Sequence, residues 1–307
     1  MEENMSSFKS GFVSLAGRPN VGKSTLVNRF MRQKIAAASP KPQTTQRRQL
    51  GILTLDDAQI VFMDTPGIHK PVHKLGDYMN QAAQQTLSDA DVIVWIVDAS
   101  EAPTREDELA AERIAAIQPL PPVILALNKV DLLQITQLEE RQRAFWALLP
   151  QAELPLMLSA ASGQGEDELL AAIIERLPEG PPYYSEDQVT DLYEREIAAD
   201  LIREALLHHL EQEVPHAVAV RIDEYKERED NGAYIQATLY VERDSQKGIV
   251  VGKGGAMIKK IGSTARQEIE AMSGRKVYLD LRVKVNKNWR NNPDALQQFG
   301  FAMREDD

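Results

Sequence analysis

The chain has 307 residues, no cysteine, a net charge of −11, and 43% hydrophobic and 26% charged residues. That length allows two domains, each with its own core, and the lack of cysteine excludes a disulfide framework or a cysteine-held metal. The acidic, polar start Met1-Glu2-Glu3-Asn4 lacks the basic region and apolar core of a signal peptide, and no apolar run approaches the length of a membrane span, so a cytoplasmic protein is expected.

The charge is unevenly placed. Residues 235–290 carry twelve Lys and Arg against five Asp and Glu, a surplus of +7, which leaves −18 for the rest of the chain. Only the basic segment suits a polyanion.

In chain order, the first feature is an apolar run, Gly11–Ala16, followed by Gly17-Arg18-Pro19-Asn20-Val21-Gly22-Lys23-Ser24 and the helical start Ser24–Phe30. Strand, G-x-x-x-x-G-K-S and helix together form the phosphate-binding loop; about 0.004 such matches are expected by chance in this composition. Gly17 and Gly22 let the backbone wrap a phosphate. The N–H groups from Asn20 and Val21 to Thr25, at a helix N-terminus, face the anion. Lys23 reaches the β and γ phosphates, and the Ser24 hydroxyl holds Mg²⁺.

From residue 11 to about 177 apolar runs alternate with helical patterns. Strands are predicted near 11–17, 47–55, 58–64, 91–98, 122–127 and 154–158, and helices near 22–32, 75–88, 104–117, 135–148 and 166–176. Short apolar strands alternating with helices mean an α/β domain with a mostly parallel sheet covered on both faces, whose ligands sit at the carboxyl ends of the strands. Three further motifs fall there. Asp64-Thr65-Pro66-Gly67 follows Ile60–Met63: Asp64 suits Mg²⁺ binding through water, and Gly67 can offer its N–H to a γ-phosphate. Asn128-Lys129-Val130-Asp131 follows Val123–Leu127: the Asp131 carboxylate can accept both N1–H and N2–H₂ of guanine, a pair adenine lacks, while Asn128 braces the loop and the Lys129 stem covers the ring. Ser159-Ala160 follows Leu154–Leu158 and can offer a backbone N–H to guanine O6.

Taken together these motifs resemble the P-loop GTPase superfamily over roughly residues 8–178. The resemblance implies GTP hydrolysis with Mg²⁺ and a mobile-loop threonine that closes on the metal and γ-phosphate. In Ser39-Pro40-Lys41-Pro42-Gln43-Thr44-Thr45 this is Thr45, with Thr44 as the alternative; Lys23, Thr45 and Gly67 are then the catalytic set, and Ser24, Thr45 and Asp64 the metal set. Ras-like members place a water-orienting Gln after D-x-x-G. Here that position is Ile68, so slow intrinsic hydrolysis is expected. In this loop variant some relatives bind K⁺ through the residue at Asn20, which is otherwise a turn residue. Trp95 reads as core, and Arg47-Arg48 as an exposed strand pair in preference to a transition-state role. His69 and His73, interrupted by Pro71, make a poor zinc site. His208 and His209 read as solvated or at the flank of a helix.

Leu177-Pro178-Glu179-Gly180-Pro181-Pro182 marks a linker over 179–189. A helix is expected over about 190–212, then strands Val218–Tyr225 and Tyr234–Val241 with a tight turn at Asn231-Gly232. Next come Gly248-Ile249-Val250-Val251-Gly252-Lys253-Gly254-Gly255, a helix over about 256–272 bearing Lys259 and Lys260, and a strand near 276–286. This α+β order, with G-x-x-G between two helices, resembles a type II KH domain over 190–286, a fold that clamps a few single-stranded nucleotides. Gly252, Gly254 and Gly255 allow close approach of a phosphate backbone, Lys253, Lys259 and Lys260 supply charge, and Ile249 and Val250 are expected to floor a groove for bases. Residues 287–307 are a packed helix or a tail.

A GTPase domain joined to one C-terminal KH domain resembles the Era-type GTPases of bacteria. That resemblance implies a monomeric factor in small-subunit maturation that binds the 3′ end of 16S rRNA, with peripheral association at the inner membrane. Two other classes compete with it: a signalling GTPase acting on a protein partner, and an RNA-binding module with a degenerate nucleotide site.

Overall fold

The computed structural model describes residues 8–37, 39, 41, 44–68, 70–153, 155–228 and 232–301, the side chain of Ile135 excepted. They form two compact units. The first takes the chain up to Gln33, Gln46–Lys70 and Met79–Asp191; the second takes Lys34–Thr45, Pro71–Tyr78 and the chain from Leu192 on.

The first unit alternates strand and helix: β1 (Lys9–Ala16), α1 (Lys23–Phe30), β2 (Gln49–Thr54), β3 (Ala58–Asp64), α2 (Lys74–Ser88, its first turn counted with the second unit), β4 (Val92–Asp98), α3 (Arg105–Ala115), β5 (Val123–Asn128), α4 (Leu138–Leu148), β6 (Leu156–Met157) and α5 (Glu166–Arg176). The sheet order is β2-β3-β1-β4-β5-β6. All its pairings are parallel except β2 with β3. Every residue of β3, β4 and β5 is buried, because helices cover both faces and no position alternates outward. On one side Ile93, Trp95, Leu125 and Leu127 pack with Ala110, Ile114 and Phe145. Elsewhere Phe30 of α1 stacks on Phe62 of β3 at 4.8 Å. The strand expected over 154–158 is only Leu156–Met157; Leu154 lies outside the described residues.

The Pro- and Gly-rich segment read as a linker is laid along this unit as far as Asp191. Ser10 N–H donates to the Pro178 carbonyl at 3.0 Å and Gly180 N–H to that of Phe8 at 3.0 Å. The Gln59 side-chain oxygen accepts from Tyr183 and Tyr184 N–H at 2.7 and 2.9 Å. Farther on, Ile52 N–H donates to the Val189 carbonyl at 2.9 Å.

The second unit contains α6 (Glu194–His209), β7 (Ala219–Glu227), β8 (Gly232–Val241), α7 (Asp244–Val251), α8 (Ala256–Ser273), β9 (Lys276–Val285) and α9 (Pro293–Gln298). In the sheet β7-β8-β9 the first pair is antiparallel, bulged between Ile222 and Glu224, and the second is parallel. Leu201, Ile202 and Leu206 of α6 and Ile261, Ala265 and Ile269 of α8 share a core with Ile235, Ala237 and Leu239 of β8. The turn expected at Asn231-Gly232 falls partly outside the described residues. Of the two readings of the C-terminal stretch, the packed one holds as far as Phe301: Trp289 is fully buried and its indole N–H donates to the Ala217 carbonyl at 3.0 Å.

Candidate functional site

The phosphate loop leaves β1 at Gly17 and enters α1 at Lys23. Gly17, Asn20 and Gly22 all have positive φ, which turns successive loop N–H groups toward one point. Lys23 is buried, and its ammonium donates to the carbonyls of Gly17 at 3.1 Å and Arg18 at 2.9 Å. Burial pushes Lys23 down to about 8, a shift that the Asp64 carboxylate opposes. The Ser24 hydroxyl donates to Asp64 Oδ2 at 2.7 Å, so two hard oxygen donors from α1 and β3 stand together. That donor set fits Mg²⁺, which prefers oxygen and keeps part of its water shell. Gly67 lies against the loop: a Cβ there would fall 2.5 Å from Pro19 N. Ile68 is buried among Ala83, Leu87 and Trp95, so its side chain faces the core.

The base-recognition motifs converge on the same end of the sheet. Asn128, 2% exposed at the end of β5, donates from Nδ2 to the Val21 carbonyl at 2.6 Å and accepts the Ala160 N–H at 2.9 Å. One carboxamide therefore joins the phosphate loop to the Ser159-Ala160 turn. Lys129 has a left-handed backbone (φ 64°), which turns the chain so that Asp131 stands exposed in the following 3-10 turn. Ser159 is fully buried, and its N–H donates to the Gln164 carbonyl at 2.9 Å.

Two residues of this site escaped the sequence reading. Asp98, at the end of β4, accepts from Lys129 Nζ at 2.5 Å. Burial works against its charge, but hydrogen bonds from Lys129 and Ser100 outweigh that and hold its carboxyl below the usual range. Arg18 Nε donates to Asp107 Oδ2 at 3.2 Å, while the same guanidinium pairs with Glu101 and lies 3.8 Å from Asp98. A lone Asp ending an apolar strand was the available signal for Asp98; Arg18 gave none beyond its place in the loop.

In the second unit, Gly252 has φ 73° and ψ 171°, and a Cβ there would fall 2.6 Å from that of Met257. Gly254 and Gly255 face open space, at the N-terminus of the 18-residue α8. Lys253, Lys259 and Lys260 are exposed, as is Ile249 at 49%. Val250 is a correction: it is fully buried in the core of this unit, because α7 turns it inward, so it cannot floor a groove.

The segment around the candidate threonines is anchored within this unit. The Thr44 hydroxyl donates to the Lys41 carbonyl at 2.8 Å, and buried Arg203 donates to the Thr44 carbonyl at 3.2 Å and to that of Val218 at 3.2 Å. Lys34 Nζ reaches Glu204 and Glu268, each at 2.8 Å. His209 meets the Thr264 hydroxyl at 2.7 Å. His69 lies outside the described residues, and among these no cluster of three or more His, Asp or Glu could hold a metal ion.

Known proteins match this arrangement. Residues 12–129 match the family described as 50S ribosome-binding GTPase, and residues 213–290 match the KH domain. A crystal structure of Era in complex with MgGDPNP and nucleotides 1506–1542 of 16S ribosomal RNA is 38% identical. It aligns over 96% of this chain and 100% of its own, with a TM-score of 0.91. The chain belongs to the Era family of GTPases. An Aquifex aeolicus Era variant bound to GDP·AlF4⁻ aligns equally well, at 38% identity, 96% and 100% coverage and a TM-score of 0.91. As in that family, a P-loop GTPase domain precedes a KH domain, and the protein is a GTPase that uses GTP, GDP and Mg²⁺. The 50S description covers only part of the nucleotide-binding unit, whereas the Era alignment spans both units and so bears more directly on the RNA partner.

Proposed function

We propose that this protein is a small-subunit assembly factor that binds the 3′ end of 16S rRNA through its KH unit and uses GTP binding and hydrolysis to time that contact. The observation that carries the reading is the near-complete alignment with an Era that holds a GTP analogue and a 16S rRNA fragment. Ser24, Asp64 and Thr45 would hold Mg²⁺, which supplies charge neutralisation between the β and γ phosphates. Lys23 would exchange its two carbonyl partners for phosphate oxygens. Thr45 is favoured over Thr44 for this role, as in the sequence reading. With Ile68 in the core, no side chain from that position orients the attacking water, and hydrolysis is slow until another group supplies the electrostatics; Asn20 with K⁺ is one such source.

On the RNA side, Gly252, Gly254 and Gly255 with Lys253 would receive the phosphate backbone, Lys259 and Lys260 would add charge, and Ile249 would meet a base. A G-x-x-G loop clamps about four nucleotides. Work in the cytoplasm, with peripheral membrane association, rests on the family alone; among the described residues no helix is long and apolar enough to cross a membrane.

The test is RNA crosslinking in cell extract with a non-hydrolysable GTP analogue and again with GDP. The expected reads fall at the 3′ end of small-subunit rRNA, are enriched with the analogue, and vanish in Gly252→Asp. Scattered or absent reads in both states, with GTP turnover intact, would favour a protein-directed signalling GTPase instead.

A further inference from the structure

We propose that the helix-free face of the second unit's sheet, at Tyr234 and Tyr278, is a stacking surface for unpaired bases of a second stretch of single-stranded RNA, separate from the G-x-x-G loop. The inference rests on the RNA-binding reading above.

Helices α6 and α8 cover one face of β7-β8-β9, and Val277, Ile235 and Ala237 point into that core. Alternate residues stand on the other face: Tyr234 and Gln236 on β8, and Tyr278, Asp280, Arg282 and Lys284 on β9. Tyr234 and Tyr278 are register partners on adjacent parallel strands. Their rings stack with centroids 5.7 Å apart and planes 18° apart. Tyr278 is 62% exposed. The Arg228 guanidinium lies 5.8 Å from the Tyr234 ring centre, and Gln236 Nε2 donates to Tyr234 Oη and to Asp280 Oδ2, both at 3.1 Å. The ring pair is thus held in place from one side and open on the other.

The opposite end of the same face is different. There Tyr240 packs on Phe299 at 4.7 Å, and Phe299 meets Trp289 at 5.5 Å. The chain covers its own aromatic at that end and leaves Tyr278 exposed, with Tyr234 half-buried beside it.

Charge selects the occupant. In a protein of net charge −11, residues 275–290 hold six Lys and Arg and a single carboxylate. Among the described residues, Asp223 pairs with Arg221 at 2.6 Å, Asp280 with Arg282 at 3.1 Å, and Glu224 with Lys226 on this face. Among the described residues no ion pair engages Arg228, Lys276 or Lys284. Stacked tyrosines flanked by Arg228, Lys276 and Lys284 suit unpaired bases and their phosphates. A protein partner would need an apolar patch, and here the aliphatic side chains of β9 pack toward the core.

The experiment uses the full chain and two labelled unstructured RNAs, one of about five nucleotides, enough for the G-x-x-G loop, and one of about twenty. The Tyr278→Ala variant is expected to bind the long RNA about tenfold more weakly and the short one as the wild type does, while Tyr278→Trp keeps the long-RNA affinity. Ultraviolet crosslinking of the unaltered protein to the long RNA is expected to put an adduct in the peptide containing Tyr278, which decides the matter even if the alanine variant misfolds. Wild-type affinity of folded Tyr278→Ala for the long RNA, or adducts confined to the 249–260 region, would overturn the proposal. The loop reading fails separately: it falls if Gly252→Asp binds both RNAs normally.

Discussion

Lys129 donates to Asp98 at 2.5 Å, so the turn that presents Asp131 is fastened to the end of the neighbouring strand. Asp98 also lies 3.8 Å from the Arg18 guanidinium of the phosphate loop, and one carboxylate serves both halves of the nucleotide site. Replacing it with alanine removes the charge-assisted hydrogen bond from Lys129. GDP affinity should fall about tenfold or more in Asp98→Ala, with the far-ultraviolet circular dichroism unchanged. Because the folded-state carboxyl titrates below its usual range, this support is present above the unfolded value near pH 3.9 and is lost only as pH falls through the lower folded value. Fluorescent-nucleotide titrations from pH 5 to 8 should therefore show no change traceable to Asp98.

Lys23 behaves in the opposite sense. Its nucleotide-free value of about 8 lies below the ordinary lysine value. The burial cost is full below pH 8 and fades as pH rises toward about 10.4, so stability of the nucleotide-free protein gains over that window. A seated phosphate favours the ammonium. Nucleotide binding at pH 8.5 should thus take up a proton, seen as a binding enthalpy that varies with the ionisation enthalpy of the buffer, and at pH 6.5 this uptake should be gone.

At Gly67 the constraint is steric. An alanine Cβ would meet Pro19 N at 2.5 Å and Pro19 Cα at 2.7 Å, and both are backbone atoms of the phosphate loop. Gly67→Ala should cut GTP turnover at least about tenfold and narrow the difference between GTP and GDP affinity, since the displaced N–H is the one assigned to the γ-phosphate. Single-turnover hydrolysis and equilibrium binding measure the two effects.

Ile68→Gln would place the residue type found in Ras-like enzymes at this site. In this fold the side chain faces the core, so the amide would be buried without a partner at a cost of about 1–3 kcal/mol. The expected result is a lower melting temperature with no gain in intrinsic turnover. A clear rate increase would mean that the residue can turn outward.

What sequence reveals here follows how far each signal reaches. The phosphate loop, Asp64-Gly67 and Asn128-Asp131 were legible because each is a short string whose chemistry is local, and each sits at the strand end expected of it. Arg18 and Asp98 were not singled out, since their roles exist only once β4 and the loop become neighbours. Val250 was misread because an apolar residue beside a glycine loop suits a groove or a core equally, and only the turn of α7 decides. The strands near 218–225 and 234–241 and the helix near 256–272 were readable as apolar runs and an amphipathic stretch, whereas β6, at two residues, was too short to read. No pattern announced that Lys34–Thr45 would cluster with the second unit, because that depends on Arg203 and Glu204, 159 and 170 residues from their partners.

The segment from Pro178 to Asp191 has a last consequence. β2 is the outermost strand of its sheet, and the backbone of Ile52 and Leu50 is satisfied by Val189 and Asp191. A fragment stopped after Pro178 would keep every nucleotide-binding motif yet bare that strand, and bare strands seek one another. Such a fragment should self-associate, whereas one carried through to Asp191 should remain a single molecule. The passage read as a linker in the sequence would thus shield an exposed edge of the nucleotide-binding half.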